Sequence, residues 1–156
     1  MTRRRTKYIV VHCSATGPDS DIGADEIDDM HRRRAPPFDR IGYHAVIRRT
    51  GTIEFGRHFD DPGAHVKGHN YQSVGICLVG GVDADGKAEN NFTPSQMLAL
   101  RSLLAVMQFA YLDAQVLGHR DLSPDLDGDG IVERDEWLKE CPCFDVRRWL
   151  YNEQTK

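Results

Sequence analysis

Short apolar runs and helical stripes punctuate this chain. Residues 8–13 (YIVVHC) and 74–79 (VGICLV) are nearly continuous apolar segments, as expected of strands buried on both faces. The second stops at Gly80-Gly81. Residues 43–48 and 52–57 flank Arg49-Thr50-Gly51, where a glycine can take the positive φ of a hairpin turn. Residues 24–34 predict a helix, acidic early and basic at Arg32-Arg33-Arg34, as the helix dipole favours, with Pro36 and Pro37 to stop it. The clearest helix starts at Thr93-Pro94-Ser95-Gln96: Thr caps, Pro suits the first helical position, and Gln closes a capping box. Leu100, Leu103, Leu104 and Met107 then form a stripe that faces a core. A short strand at 115–117 delivers His119, and Asp145 caps a last helix carrying Trp149 and Leu150. Strands mixed with helices predict an α/β fold, a single domain with a central mixed β-sheet flanked by helices.

Length and charge narrow the class. A chain of 156 residues suits one domain that buries about two-thirds of its unfolded surface. Its formal net charge of -4 gives no global attraction to nucleic acid. Arg3-Arg4-Arg5 is a local exception that reads as a solvated terminus. No apolar run approaches the ~18 residues of a membrane span. The basic start precedes only Tyr8-Ile9-Val10-Val11, too short for a signal peptide and interrupted by His12. Synthesis in a reducing cytoplasm is therefore expected. There Cys13, Cys77, Cys141 and Cys143 suit buried thiols or metal ligation better than a disulfide framework, and Cys77, inside an apolar run, reads as core.

Three residues at element edges could carry chemistry: His12 at the end of the first strand, His119 after the late strand, and Cys141. Imidazole and thiolate are preferred zinc ligands, and three protein ligands with one open position define a catalytic site. The three are scattered in sequence, so zinc and histidines that merely satisfy core hydrogen bonds both stay open on these residues alone.

Longer motifs go further. VHCSAT (11–16), GYH (42–44), GTIEFGR (51–57), GAHVKGHN (63–70), VGICLVGG (74–81), NFTPSQ (91–96) and CPCFDVRRW (141–149) follow one another along nearly the whole chain. Together they resemble the zinc-dependent N-acetylmuramoyl-L-alanine amidases of bacteriophages, endolysins related to peptidoglycan recognition proteins. The resemblance implies zinc held by His12, His119 and Cys141, with Tyr43 and Lys139 as catalytic residues. It implies that His65 contacts substrate or the water on the zinc. The implied substrate is bacterial peptidoglycan, cut at the amide between the lactyl group of N-acetylmuramic acid and L-alanine. A monomer acting on the wall after release by a holin is expected, without membrane insertion or a nucleic-acid partner. Cys143 departs from close phage relatives, which carry Ser there. It lies two residues from Cys141, so it could share a face with it, although Pro142 and the coming helix should turn it away. Arg120 after His119 is a second departure.

The largest departure is an insertion between His119 and Cys141. Residues 125–136 (DLDGDGIVERDE) fit an EF-hand loop, with Asp125, Asp127, Asp129, Glu133 and Glu136 as carboxylates, Ile131 offering a carbonyl, and Gly130 at the sharp turn. Hard oxygen ligands suit calcium rather than zinc. A lone loop without an entering helix is no sensor, so structural calcium is expected, with a short helical turn at 135–138 presenting Lys139 and Cys141. The alternatives to an amidase are a non-catalytic peptidoglycan-binding module, a regulator that binds a polymerase, and a thiol protease using Cys141. Retention of Cys141 and Tyr43 speaks against the binding module.

Overall fold

The computed structural model describes residues 5–154. Its strands are β1 (Tyr8–Cys13), β2 (Ala45–Ile47), β3 (Ile53–Phe55), β4 (Ser73–Leu78) and β5 (Gln115–Gly118), and its helices α1 (Ala24–Arg33), α2 (Pro94–Ala110) and α3 (Val146–Gln154). The strands form one sheet in the order β3-β2-β4-β1-β5. Neighbours are parallel except β2 and β3, joined by the hairpin at Gly51, whose φ is 86°. The expected mixed sheet is present. The hairpin strands are shorter than their apolar pattern, but backbone bonding continues past them, with His44 N donating to Gly75 O at 2.9 Å. Of the basic N-terminal run, Arg3 and Arg4 lie outside the described residues, and Arg5 pairs with Asp113 at 3.0 Å. No helix among the described residues is long and apolar enough to cross a membrane.

Strand alternation sorts the core into two faces. Ile9, Val11, Ile47, Val74, Ile76 and Leu78 point toward α2, meeting Leu100, Leu103, Leu104 and Met107, with Val146 of α3 beside them. The capping box that starts α2 also ties it to the sheet. Gln96 Oε1 accepts from Thr93 N at 3.0 Å, while its Nε2 donates to Ile47 O at 3.1 Å and Val79 O at 2.8 Å.

On the opposite face, Ala24 and Ile27 of α1 cover Val46, Cys77 and Val79. Val66, from the loop before β4, covers Val10 and Leu117. The cover leaves a recess beside the carboxyl ends of β1 and β5, where open parallel sheets admit ligands. His12 and His119 stand at that recess.

The segment between β5 and Cys141 leaves the sheet through a 3-10 turn (His119–Leu122) and closes on itself. Asp125 accepts from Gly128 N at 2.7 Å and Gly130 N at 2.9 Å, Asp129 from Ile131 N at 2.8 Å, and Glu136 from Glu133 N at 3.0 Å. The turn expected at 135–138 is a single 3-10 turn, Arg134–Glu136. Arg120 acquires a role here: its guanidinium lies 4.1 Å over the Trp137 ring at the far end of the segment.

Candidate metal centre and cleft

His12 is the penultimate residue of β1, and alternation turns it away from the α2 face into the recess, where it is 1% exposed. His119 follows β5 directly. Cys141 is stitched to both: Cys13 N donates to its Sγ at 3.2 Å, and Arg120 N donates to its carbonyl at 2.9 Å. Cys141 Sγ thereby comes to 3.9 Å from His12 Nδ1. The ring centroids of His12 and His119 are 4.7 Å apart. One ligand atom from each of His12, His119 and Cys141 lies within 4.8 Å of the other two. A tetrahedral zinc with Zn–N near ~2.05 Å and Zn–S near ~2.3 Å needs N···S of about 3.6 Å, so the His12–Cys141 pair stands a few tenths of an ångström from that spacing.

The electrostatics agree with that donor set. Burial, then His65, His119 and Lys139, hold His12 well below the usual histidine value. Burial and Lys139 push His119 down to about 4. Both rings are neutral at pH 7 and keep a lone pair for a metal. Cys13 is pushed up to about 12, first by its hydrogen bond with Cys141, and so remains a neutral neighbour.

The site opens into a cleft of about 190 Å³ lined by Tyr43, His65 and Lys139 as well as the candidate ligands. Tyr43 packs its ring 5.1 Å from His12 and 5.3 Å from His31. Burial, then the thiols of Cys77, Cys141 and Cys13, raise its phenol well above the usual value, so it stays protonated at neutral pH. His65 lies over Gly75, where an added Cβ would stand 2.6 Å from the imidazole, so only glycine leaves the ring its place. Both its ring nitrogens meet protein partners, Nδ1 with His12 Nε2 at 2.9 Å and Nε2 with Ser73 Oγ at 3.3 Å. Cys143 is turned aside: with φ of 75° it places Sγ 3.1 Å from Gly81 O and 3.9 Å from Cys13 Sγ.

Sequence reasoning missed His31, Arg34 and Phe38, which also line the cleft. Its account of Arg32-Arg33-Arg34 stopped at the helix dipole. The available signal was helical spacing, since His31 falls four residues after the buried Ile27 and shares its inward side. Gly42 N donates to His31 Nδ1 at 2.9 Å, which anchors the loop carrying Tyr43.

A mixed sheet with a His-His-Cys cluster at the carboxyl ends of its parallel strands, opening to a cleft with a tyrosine and a lysine, has the make-up of a metal-assisted active site. A family model described as N-acetylmuramoyl-L-alanine amidase matches residues 2–142. The endolysin of Klebsiella phage KP32 is 46% identical over 147 residues, 94% of this chain and 87% of that protein. The endolysin of Escherichia phage T7 is 42% identical over 147 residues, with the same coverage of each. Among solved structures, the N-acetylmuramoyl-L-alanine amidase LysC from Clostridium intestinale aligns over 97% of this chain and 86% of its own, with a TM-score of 0.72 and 25% identity. The chain belongs to the N-acetylmuramoyl-L-alanine amidase family, in the line of phage endolysins and peptidoglycan recognition proteins, and peptidoglycan is its substrate class.

Proposed function

We propose that this protein is a zinc-dependent endolysin that hydrolyses the amide between the lactyl group of N-acetylmuramic acid and L-alanine of the stem peptide. The observation that carries the reading is the meeting of His12, His119 and Cys141 in one shell at the mouth of a cleft. Three protein ligands leave a fourth position for chemistry. Zinc bound there would supply Lewis acidity for an otherwise inert amide. The chain's own groups supply the rest. Cys13 N–H, donating to Cys141 Sγ at 3.2 Å, would steady the sulfur as a ligand. Tyr43, held protonated and walled by His12 and His31, orients the attacking water by hydrogen bonding. Lys139, in the same cleft, offers its ammonium to the carbonyl oxygen as negative charge develops. His65 forms the wall between the cleft and the sheet.

Purified protein should contain one equivalent of zinc and clear suspensions of cell walls. The products should carry new L-alanine amino termini without new reducing sugar ends. His12→Ala and Cys141→Ala should lose both metal and clearing. Clearing at the wild-type rate by both variants would overturn the reading. As an endolysin the protein would act as a monomer and reach the wall through a holin. Residues 125–136 would hold a structural calcium, a reading that rests on the EF-hand spacing of their carboxylates.

A further inference from the structure

The hydrogen bonds behind His12 run in one direction. Ser73, the buried first residue of β4, has its Oγ 2.8 Å from the carbonyl of His69. A carbonyl only accepts, so the single hydroxyl proton is committed to it. At the 3.3 Å contact with His65 Nε2 the serine oxygen is then the acceptor, and Nε2 carries the proton. A neutral imidazole protonated on Nε2 has its lone pair on Nδ1. His65 Nδ1 lies 2.9 Å from His12 Nε2, which must be the donor. His12 is therefore protonated on Nε2 and bare on Nδ1, the nitrogen 3.9 Å from Cys141 Sγ.

The surroundings fix this chain in place. Asn70 Oδ1 accepts from His65 N at 2.9 Å and Val66 N at 3.0 Å, holding the backbone from which the ring hangs. Gly75 and Gly63 leave the ring its room, since a Cβ at either would approach it within 2.6 Å and 2.2 Å. A ring merely lining a substrate cleft needs neither partner behind it.

We propose that Ser73 and His65 are positioning residues that lock His12 in the Nε2–H tautomer and present Nδ1 to the metal. The proposal rests on the metal-centre reading and deepens it, naming which atom binds and what holds it. Outer hydrogen bonds of this kind are worth roughly 10–100-fold in metal affinity.

The test uses the full chain. Zinc affinity is measured by competition with a chromophoric chelator, and ring tautomers by nitrogen-15 NMR of the zinc-free protein. His12 should show a protonated Nε2 and a bare Nδ1. Ser73→Ala and His65→Ala should bind zinc roughly 10–100-fold more weakly with retained circular dichroism. His65→Asn, whose side-chain oxygen can take the place of Nδ1, should recover most of the loss, and Ser73→Thr should keep the wild-type affinity. A proton on His12 Nδ1, or unchanged affinity in both alanine variants, overturns the proposal. Failure of the wild type to bind zinc overturns the metal reading instead, and the tautomer measurement still decides the hydrogen-bond chain.

Discussion

Replacing Gly75 with alanine tests how tightly His65 is held against the sheet. The new methyl would stand 2.6 Å from His65 Cγ, 2.7 Å from Cδ2 and 2.8 Å from Nδ1. Carbon atoms sit comfortably at ~3.5 Å, so the ring must retreat by about 0.9 Å or the strand must give. A retreat of that size along the 2.9 Å bond to His12 would carry it beyond hydrogen-bond range. Overpacking of this kind costs about 1–3 kcal/mol. Against it stands a gain, because Gly75 has an ordinary backbone conformation and alanine restricts the unfolded chain, which is worth about 0.4–1 kcal/mol.

The two effects separate in a double-mutant cycle. In the wild-type background Gly75→Ala should lower stability on balance and weaken zinc binding. In a His65→Ala background the clash is gone, and the same substitution should raise stability by about 0.4–1 kcal/mol. A chain of this size shifts its Tm by ~2–4 °C per kcal/mol, so the reversal is readable in thermal melts, with urea titration as a check. The same sign and size of effect in both backgrounds would refute the packing of His65 on Gly75, and with it the geometry assigned to His12.

Three further outcomes are expected. Cys143→Ser should leave zinc affinity and wall clearing unchanged, because Cys143 faces Cys13 and Gly81 rather than the cluster; lost zinc in that variant would make it a fourth ligand. In chelated, zinc-free protein, stability should fall as pH drops from about 6.5 toward about 4. Over that window the unfolded chain takes up protons that folded His119 and His12 refuse, and His119→Gln should flatten the slope; an equally steep profile in the variant would contradict it. Adding calcium at about 100 times its dissociation constant should stabilise zinc-loaded protein by ~2.7 kcal/mol, and Glu136→Gln should abolish the gain; identical melting with calcium and with a calcium chelator would dismiss calcium from the loop.

Much of this architecture was legible because it is local. Each apolar run became a strand and the Leu100 to Met107 stripe became the core face of α2, since burial on a sheet demands those periods. His12 and His119 were visible as polar interruptions at strand ends. Their partners were harder to see, because contacts made across the sheet leave no periodic trace. Ser73 reads in sequence as an ordinary strand start, and His31 as one of several polar residues on a charged helix. Only the closure of α1 and of the loop before β4 over the recess assigns them. The direction of Cys143 was legible as well, since Pro142 and the following helix leave an extended continuation no room.

The segment between His119 and Cys141 obeys the same geometry. A metal shell tolerates little movement of His119 or Cys141, yet residues 120–140 separate them in the chain. The base of the segment resolves the conflict. Arg120 N donates to Cys141 O at 2.9 Å, Leu138 N donates to Ser123 Oγ at 3.0 Å, and Arg120 stacks on Trp137, so the two ends are clamped before the loop begins. Closing a longer loop over a clamped base adds only about 0.6 kcal/mol per doubling of its length. Length is therefore tolerated here at small cost, provided the clamp holds. Arg120 and Trp137 make sense as a pair, one from each end of the segment, 4.1 Å apart. Arg120→Met should consequently destabilise the full chain and weaken zinc binding. In a chain whose residues 123–138 are replaced by a short turn, which removes the Trp137 partner and leaves only the 3.9 Å pairs with Asp121 and Asp145, both losses should be much smaller. Equal losses in both chains would mean that Arg120 acts through Asp121, Asp145 or His119 and that residues 123–138 ride on a site already complete without them.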